Sequence, residues 1–264
     1  MEQGAGRGAG RRMGLRAGRR VEQGAGHRAA RPGATAVSAH RRDETGLAGL
    51  RAAVASGADY VEIDVRRTAD GTLVVHHDRT VAGVPLSRCT YPRLLDLAPR
   101  PVPLVSEALE IIGDRAGAHL DLKEHGAEHE VITMAQETCG PERLVVTTRD
   151  PDVVALVKRY FPGVTVALSV GRGPWERGMV RDFAPVRTLR ASGADMVALN
   201  HRLARTGVLG QCARAGFPVM LWTVNAVPLM RRFLNDPRVS VLITDHPATA
   251  LGLRAHQRAH RRVR

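Results

Sequence analysis

Short β-branched runs alternate with helical patterns along most of the chain. TAVSAH (35–40) and YVEIDV (60–65) read as strands, with a helix over 44–56 between them that ends at Gly57. TLVVHH (72–77) is a further run after the turn Ala69-Asp70-Gly71. Residues 79–103 carry Pro85, Pro92, Pro99, Pro101 and Pro103 and are expected to be irregular. Strands are then predicted over 118–123, 143–148, 164–169, 196–200, 219–224 and 239–244. Helices are predicted over 104–112, 127–138, 151–160, 178–192, 204–215 and 226–234, with a last one closing the unit near 253. Repeated strand-then-helix steps of about 20–30 residues predict a parallel sheet with crossover helices. Eight such steps fit a compact (β/α)8 TIM barrel. A doubly wound open sheet would need a Gly-rich phosphate loop after its first strand, and RRDET after His40 holds no glycine. ASGADYVEID (55–64) and ASGADMVALN (191–200) echo each other, either as a true repeat or as the same helix-to-strand joint used twice.

Charge changes the picture only at the ends. The formal net charge is +13. Residues 1–33 hold eight arginines against Glu2 and Glu22, and residues 254–264 hold five arginines and no acid. Those ends carry eleven of the thirteen surplus charges, so the barrel segment 34–253 is nearly neutral. The Gly/Ala/Arg-rich segment 1–33 and the basic segment 254–264 are expected to be solvated tails, too poor in large apolar residues to offset their ordering entropy. No aromatic is interleaved with the arginines for base stacking, so no specific nucleic acid is expected, and weak contact with an anionic membrane is what the tails offer. No apolar run is long enough for a membrane span or a secretory signal. Cys89, Cys139 and Cys212 are too scattered for a disulfide framework and fit a reducing, cytoplasmic compartment.

The candidate chemistry sits at predicted strand ends, where a parallel barrel places its reactive groups. Glu62 and Asp64 are two apart on one strand and therefore share a face. Two carboxylates turned into a barrel repel unless a cation joins them, and a divalent metal is the simplest such partner. Asp121 and Lys123 repeat the spacing, with Asp121 suited to the same metal and Lys123 to an anionic substrate. Lysine is rare here: only Lys123 and Lys158 occur among 39 basic residues. His40 ends the first strand beside Arg41 and Arg42. His76 and His77 precede Asp78, and alternation alone does not say which of the two faces inward. Together these groups point to metal-assisted phosphodiester cleavage with one histidine as base and one as acid.

The run AHRRDETGLAGLRAAVASGADYVEIDVRRTADGTLVVHHD (39–78) closely resembles the opening of the glycerophosphodiester phosphodiesterase family. The likeness continues through VPLVSEALEII (102–112), the strand with Asp121 and Lys123, WTVN (222–225) and ITDHP (243–247). The resemblance implies a barrel like that of phosphatidylinositol phospholipase C, with a short insertion after the second strand. It implies a divalent cation, Ca²⁺ or Mg²⁺, and a glycerophosphodiester substrate cleaved to glycerol 3-phosphate and an alcohol. It makes His40 and His77 the acid/base pair, and Glu62, Asp64 and Asp121 the metal ligands. Arg41 and Lys123 become phosphate contacts, and Trp222 packs on the glycerol. The chain departs from the family pattern at Arg42, where glycine is usual, and at Asp121, where glutamate is usual. The rival functions are a phospholipase-D-type enzyme on lysolipids and a phosphate-binding barrel without turnover.

Overall fold

The structure, a computed structural model, describes residues 34–40, 46–172 and 179–262. β1 (Ala36–Ala39) leads to α1 (Gly46–Ala55), and β2 (Tyr60–Arg67) to the return strand β3 (Leu73–Val75). β4 (Thr80–Val81), β5 (Val84–Pro85), α2 (Tyr91–Leu97) and α3 (Val105–Ile112) follow. Strands and helices then alternate: β6 (Gly117–Leu122), α4 (Glu128–Cys139), β7 (Leu144–Thr148), α5 (Pro151–Tyr160), β8 (Thr165–Val170) and α6 (Val186–Ser192). The chain closes with β9 (Met196–Asn200), α7 (His201–Ala204), α8 (Val208–Arg214), β10 (Val219–Trp222), α9 (Val227–Leu234), β11 (Val239–Thr244) and α10 (Pro247–Arg262).

Eight of these strands form a closed parallel barrel in the order β1-β2-β6-β7-β8-β9-β10-β11, with β1 paired to both β2 and β11. This is the expected TIM barrel. The run at 72–77 is not a stave. β3 pairs antiparallel with the end of β2, because Ala69-Asp70-Gly71, with Gly71 at φ +86°, turns the chain straight back. Residues 79–103, expected to be irregular, instead build a small core against Val74 of β3, from Val81, Leu86, Cys89, Leu94 and Val102. The prolines there sit at element ends and in connections: Pro92 opens α2, and Pro85 precedes a short 3-10 turn.

Helix α5 shows how the sequence makes the outer layer. Asp150 caps it by accepting from the Asp152 amide at 2.9 Å, Pro151 fixes the first turn, and Lys158 and Arg159 face the negative end. Val153, Val154 and Val157 form its buried stripe against the barrel. Each such side chain contributes about 1.5–3 kcal/mol on burial.

The sequence echo is joint chemistry. Gly57 and Gly193 each end a helix at positive φ, +76° and +73°. Asp59 then accepts the Val37 amide at 2.7 Å, and Asp195 accepts the Val166 amide at 2.9 Å, so each carboxylate ties its strand's entry to the stave before it. Each also binds a cation, Arg254 on Asp59 and Lys158 on Asp195. Arg254 was assigned to a solvated tail beginning at 254. The closing helix instead runs on to Arg262, because its first turns dock on β1 and Arg254 is drawn into the Asp59 pair.

Much of the barrel interior is lined by small and medium apolar side chains: Ala36, Val145, Ala167, Ala198, Met220, Val241 and Ile243, with Tyr60 beside them. Tyr60 fits because β6 opens with Gly117. A Cβ there would lie 2.5 Å from the Tyr60 ring. On the same inward-facing positions, nearer the C-terminal ends, the apolar lining gives way to Ser38, Glu62, Asp64, His119 and Thr147, all buried.

Candidate active site

Alternation along β2 turns Glu62 and Asp64 to the interior, as the two-residue spacing predicts. Parallel pairing of β2 with β6 sets Asp64 level with Asp121 and Glu62 level with His119. Ligand oxygens of Glu62, Asp64 and Asp121 all lie within 4.8 Å of one another. Burial pushes the Glu62 carboxyl well above its ordinary range, with the Asp64 charge adding to it and His40 and Lys123 opposing. Burial also acts to raise Asp121, yet the Lys123 ammonium and hydrogen bonds from Lys123 and Thr147 hold it below the usual range.

Lys123 was expected to face the phosphate. Its Nζ lies 2.6 Å from Asp64 Oδ1 and pairs with Asp121 Oδ2, so it neutralises the carboxylate cluster directly. The contact to Asp64 is an ion pair without hydrogen-bond alignment, and Asp64 Oδ2 has no hydrogen-bond partner among the described residues. A carboxylate 1% exposed and left in this way has room for a further cation. The all-oxygen donor set suits a hard divalent ion such as Ca²⁺ or Mg²⁺, so the residues present fit one.

Above the carboxylates is a cavity of about 510 Å³. His40, Glu62, His77, Asp121, Lys123 and Trp222 all line it. His77 and not His76 is among the lining residues. His76 instead gives its backbone N–H to Asp64 O at 3.0 Å. The hairpin carrying His77 is pinned from beneath: Arg66 Nε donates to His77 O at 3.0 Å, and Arg66 Nη1 pairs with Glu124 at 3.2 Å. His77 Nδ1 lies 2.9 Å from Asp78 Oδ1. His40 Nδ1 lies 2.6 Å from Asp245 Oδ1. Burial alone would lower the His40 pKa, but Glu62, Asp245 and Asp64 together raise it to about 9. Trp222 donates Nε1–H to Ala198 O at 2.8 Å, and the Arg149 guanidinium stacks 5.6 Å from its ring centre. Arg41 and Arg42 lie outside the described residues, so the phosphate role read for Arg41 has no structural counterpart here.

This barrel-mouth arrangement accompanies a match along the chain. Residues 24–249 match the Glycerophosphoryl diester phosphodiesterase family. The chain belongs to that family. A glycerophosphodiester phosphodiesterase from Caldanaerobacter subterraneus subsp. tengcongensis is 27% identical over 248 residues, covering 83% of this chain and 97% of that protein. The fold of this phosphodiesterase is shared with a glycerophosphodiester phosphodiesterase from Parabacteroides distasonis (TM-score 0.70, 23% identity, 85% of this chain and 98% of that one). It is shared also with an Oleispira antarctica phosphodiesterase solved in complex with the product sn-glycerol-3-phosphate (TM-score 0.66, 19% identity, 83% of this chain and 96% of that one).

Four residues that support the phosphodiesterase site escaped the sequence reading: His119, Thr147, Arg149 and Asp245. Thr147 in β7 and Arg149 just past its end continue the inward alternation, so a period-two count from Val145 would have found them. Asp245 lay inside the quoted motif ITDHP without a role. Asn225, in WTVN, explains why both motifs matter. Its Oδ1 accepts from the Asp245 amide at 3.0 Å and from Thr244 Oγ1 at 3.1 Å, and its Nδ2 donates to the Asp245 carboxylate.

Proposed function

We propose that this protein hydrolyses glycerophosphodiesters to glycerol 3-phosphate and an alcohol, using His40 and His77 for proton transfer beside a divalent cation held by Glu62, Asp64 and Asp121. The observation that carries this reading is the meeting of two histidines with Glu62 and Asp121, two of the three clustered carboxylates, in one cavity of a family phosphodiesterase. The product complex of the Oleispira relative supports the choice of product.

A bound divalent cation would neutralise charge on the phosphate oxygens and make phosphorus more electrophilic. The chain's own residues do the rest. Asp245 holds Nδ1 of His40 and so leaves its other ring nitrogen for proton transfer. Asp78 does the same for His77. One histidine takes the proton of the attacking hydroxyl, either from water directly or from the substrate's 2-hydroxyl, and in the second case the cyclic phosphate formed is opened by water in a further step. The other gives a proton to the leaving alkoxide as the P–O bond to the alcohol breaks, because a bare alkoxide leaves poorly. Lys123 keeps the carboxylate cluster compensated, and Trp222 with Arg149 forms the opposite wall, against which the glycerol arm packs.

Metal-stripped protein assayed on a panel of glycerophosphodiesters, with Ca²⁺, Mg²⁺ and Mn²⁺ added back singly, tests the reading. Glycerol 3-phosphate released only with metal is the expected result. Choline and lysophosphatidate released from lysophosphatidylcholine, with no turnover of the glycerophosphodiesters, assigns the site to lysolipids instead, and no turnover with any metal favours a binding protein.

A further inference from the structure

A line of hydrogen bonds crosses the barrel interior beside the cavity, and two of its members, His119 and Thr147, line that cavity. Ser38 on β1, His119 on β6 and Thr147 on β7 are 0%, 2% and 3% exposed. Ser38 Oγ lies 3.0 Å from His119 Nδ1, spanning the interior past the intervening stave β2. His119 Nε2 lies 3.0 Å from Thr147 Oγ1, and Thr147 Oγ1 donates to Asp121 Oδ1 at 2.7 Å.

The proton positions follow from the far end. An ionised carboxylate only accepts, so the single Thr147 hydroxyl proton goes to Asp121. Thr147 Oγ1 must then accept from His119, which places that ring's proton on Nε2. A neutral imidazole with its proton on Nε2 has a bare Nδ1, so Ser38 must donate to it. Each donor has one proton, each is used once, and all three bonds point towards Asp121. The ring meets a hydroxyl on each side and is fully buried, which suits the neutral form.

We propose that Ser38, His119 and Thr147 form a one-way hydrogen-bond relay that positions Asp121 for divalent-cation binding, a role that rests on the metal site proposed above. The relay fixes Oδ1, while Oδ2 is the oxygen that pairs with Lys123. Without Thr147 the carboxylate is left to the pull of Lys123 alone and is free to rotate towards it. Metal ligands tolerate displacements of only a few tenths of an ångström, so the orientation bears directly on affinity. The relay's neighbours across the sheet include Val145, Ala167 and Ile243, and apolar side chains of that kind would pack at the relay positions at less desolvation cost. What the polar chain supplies in their place is a donor aimed at one carboxylate oxygen. Ser38, His119 and Thr147 are therefore positioning residues rather than catalytic ones.

The test is calorimetric titration of metal-stripped protein with Mn²⁺ and with Ca²⁺, alongside ¹⁵N spectra of the histidine rings. Thr147→Val and His119→Leu are expected to weaken cation binding by about tenfold or more, the usual effect of losing a bond to a metal ligand. His119→Gln, whose amide can still donate to Thr147, is expected to restore most of that loss. The His119 ring is expected to show its proton on Nε2. Should His119→Leu fail to fold, the near-isosteric Thr147→Val decides. Folded variants that bind cations as tightly as the wild type, or a ring proton found on Nδ1, overturn the relay alone. A wild-type protein that binds neither cation overturns the metal site itself and the relay with it.

Discussion

The Nδ1 atom of His40 and the Oδ1 atom of Asp245 stand 2.6 Å apart, joining the ends of the first and last staves where the barrel closes. Asn225, at the end of the neighbouring stave, in turn braces Asp245. The proposed proton-transfer histidine is thus oriented by two residues more than 180 positions away in the sequence. Replacing Asp245 with Asn removes a negative charge that raises the His40 pKa. Asp245→Asn is expected to titrate His40 at lower pH by NMR, and to cut turnover by about a hundredfold or more while the circular dichroism spectrum is unchanged. An unaltered titration would show that Asp245 does not govern that ring.

The same pKa makes the metal-stripped protein pH-sensitive. His40 titrates near 9 in the folded chain against the ordinary 6.5, so the folded state binds its proton more tightly. Its stabilising contribution is complete below 6.5 and is lost as pH rises through about 9. The thermal midpoint of metal-stripped protein is expected to fall across that interval, and to fall less in Asp245→Asn. A midpoint that holds steady or climbs in that interval contradicts the assignment. Asp121 acts in the opposite sense: its lowered pKa adds stability above its ordinary 3.8 that is lost in acid.

Lys123 is the counter-ion of the carboxylate cluster. Lys123→Met removes one partner and leaves buried carboxylates uncompensated, which costs about 3–5 kcal/mol in such settings. Metal-stripped Lys123→Met is expected to melt well below the wild type, and added Mn²⁺ to restore part of the difference by supplying another cation. An unchanged midpoint without metal would mean that Lys123 does not compensate the cluster.

The legible part of this molecule was local. The spacing of Glu62 with Asp64, and of Asp121 with Lys123, gave shared faces because a strand has a period of two. The alternation of strands and helices gave the barrel because right-handed crossovers leave few other arrangements. What alternation could not give was direction after a tight turn: it marks a run at 72–77 without showing that β3 runs back along β2. Nor could it separate His76 from His77, which depends on the hairpin pinned by Arg66. The resemblance pointed to His77, which is the histidine of the two that lines the cavity. His119 escaped notice because a single histidine in an apolar strand has no signature until its partners on β1 and β7 are in place. Charge counting misled in one place: Arg254 looked like tail and is held by Asp59.

Turnover of sn-glycero-3-phosphocholine by the metal-loaded wild type and by His40→Ala, His77→Ala and His76→Ala tests the central claim most directly. The first two variants are expected to fold normally and to lose about 10²–10⁴ in turnover, while His76→Ala keeps most of its activity. Full activity in both His40→Ala and His77→Ala would contradict the proposed chemistry.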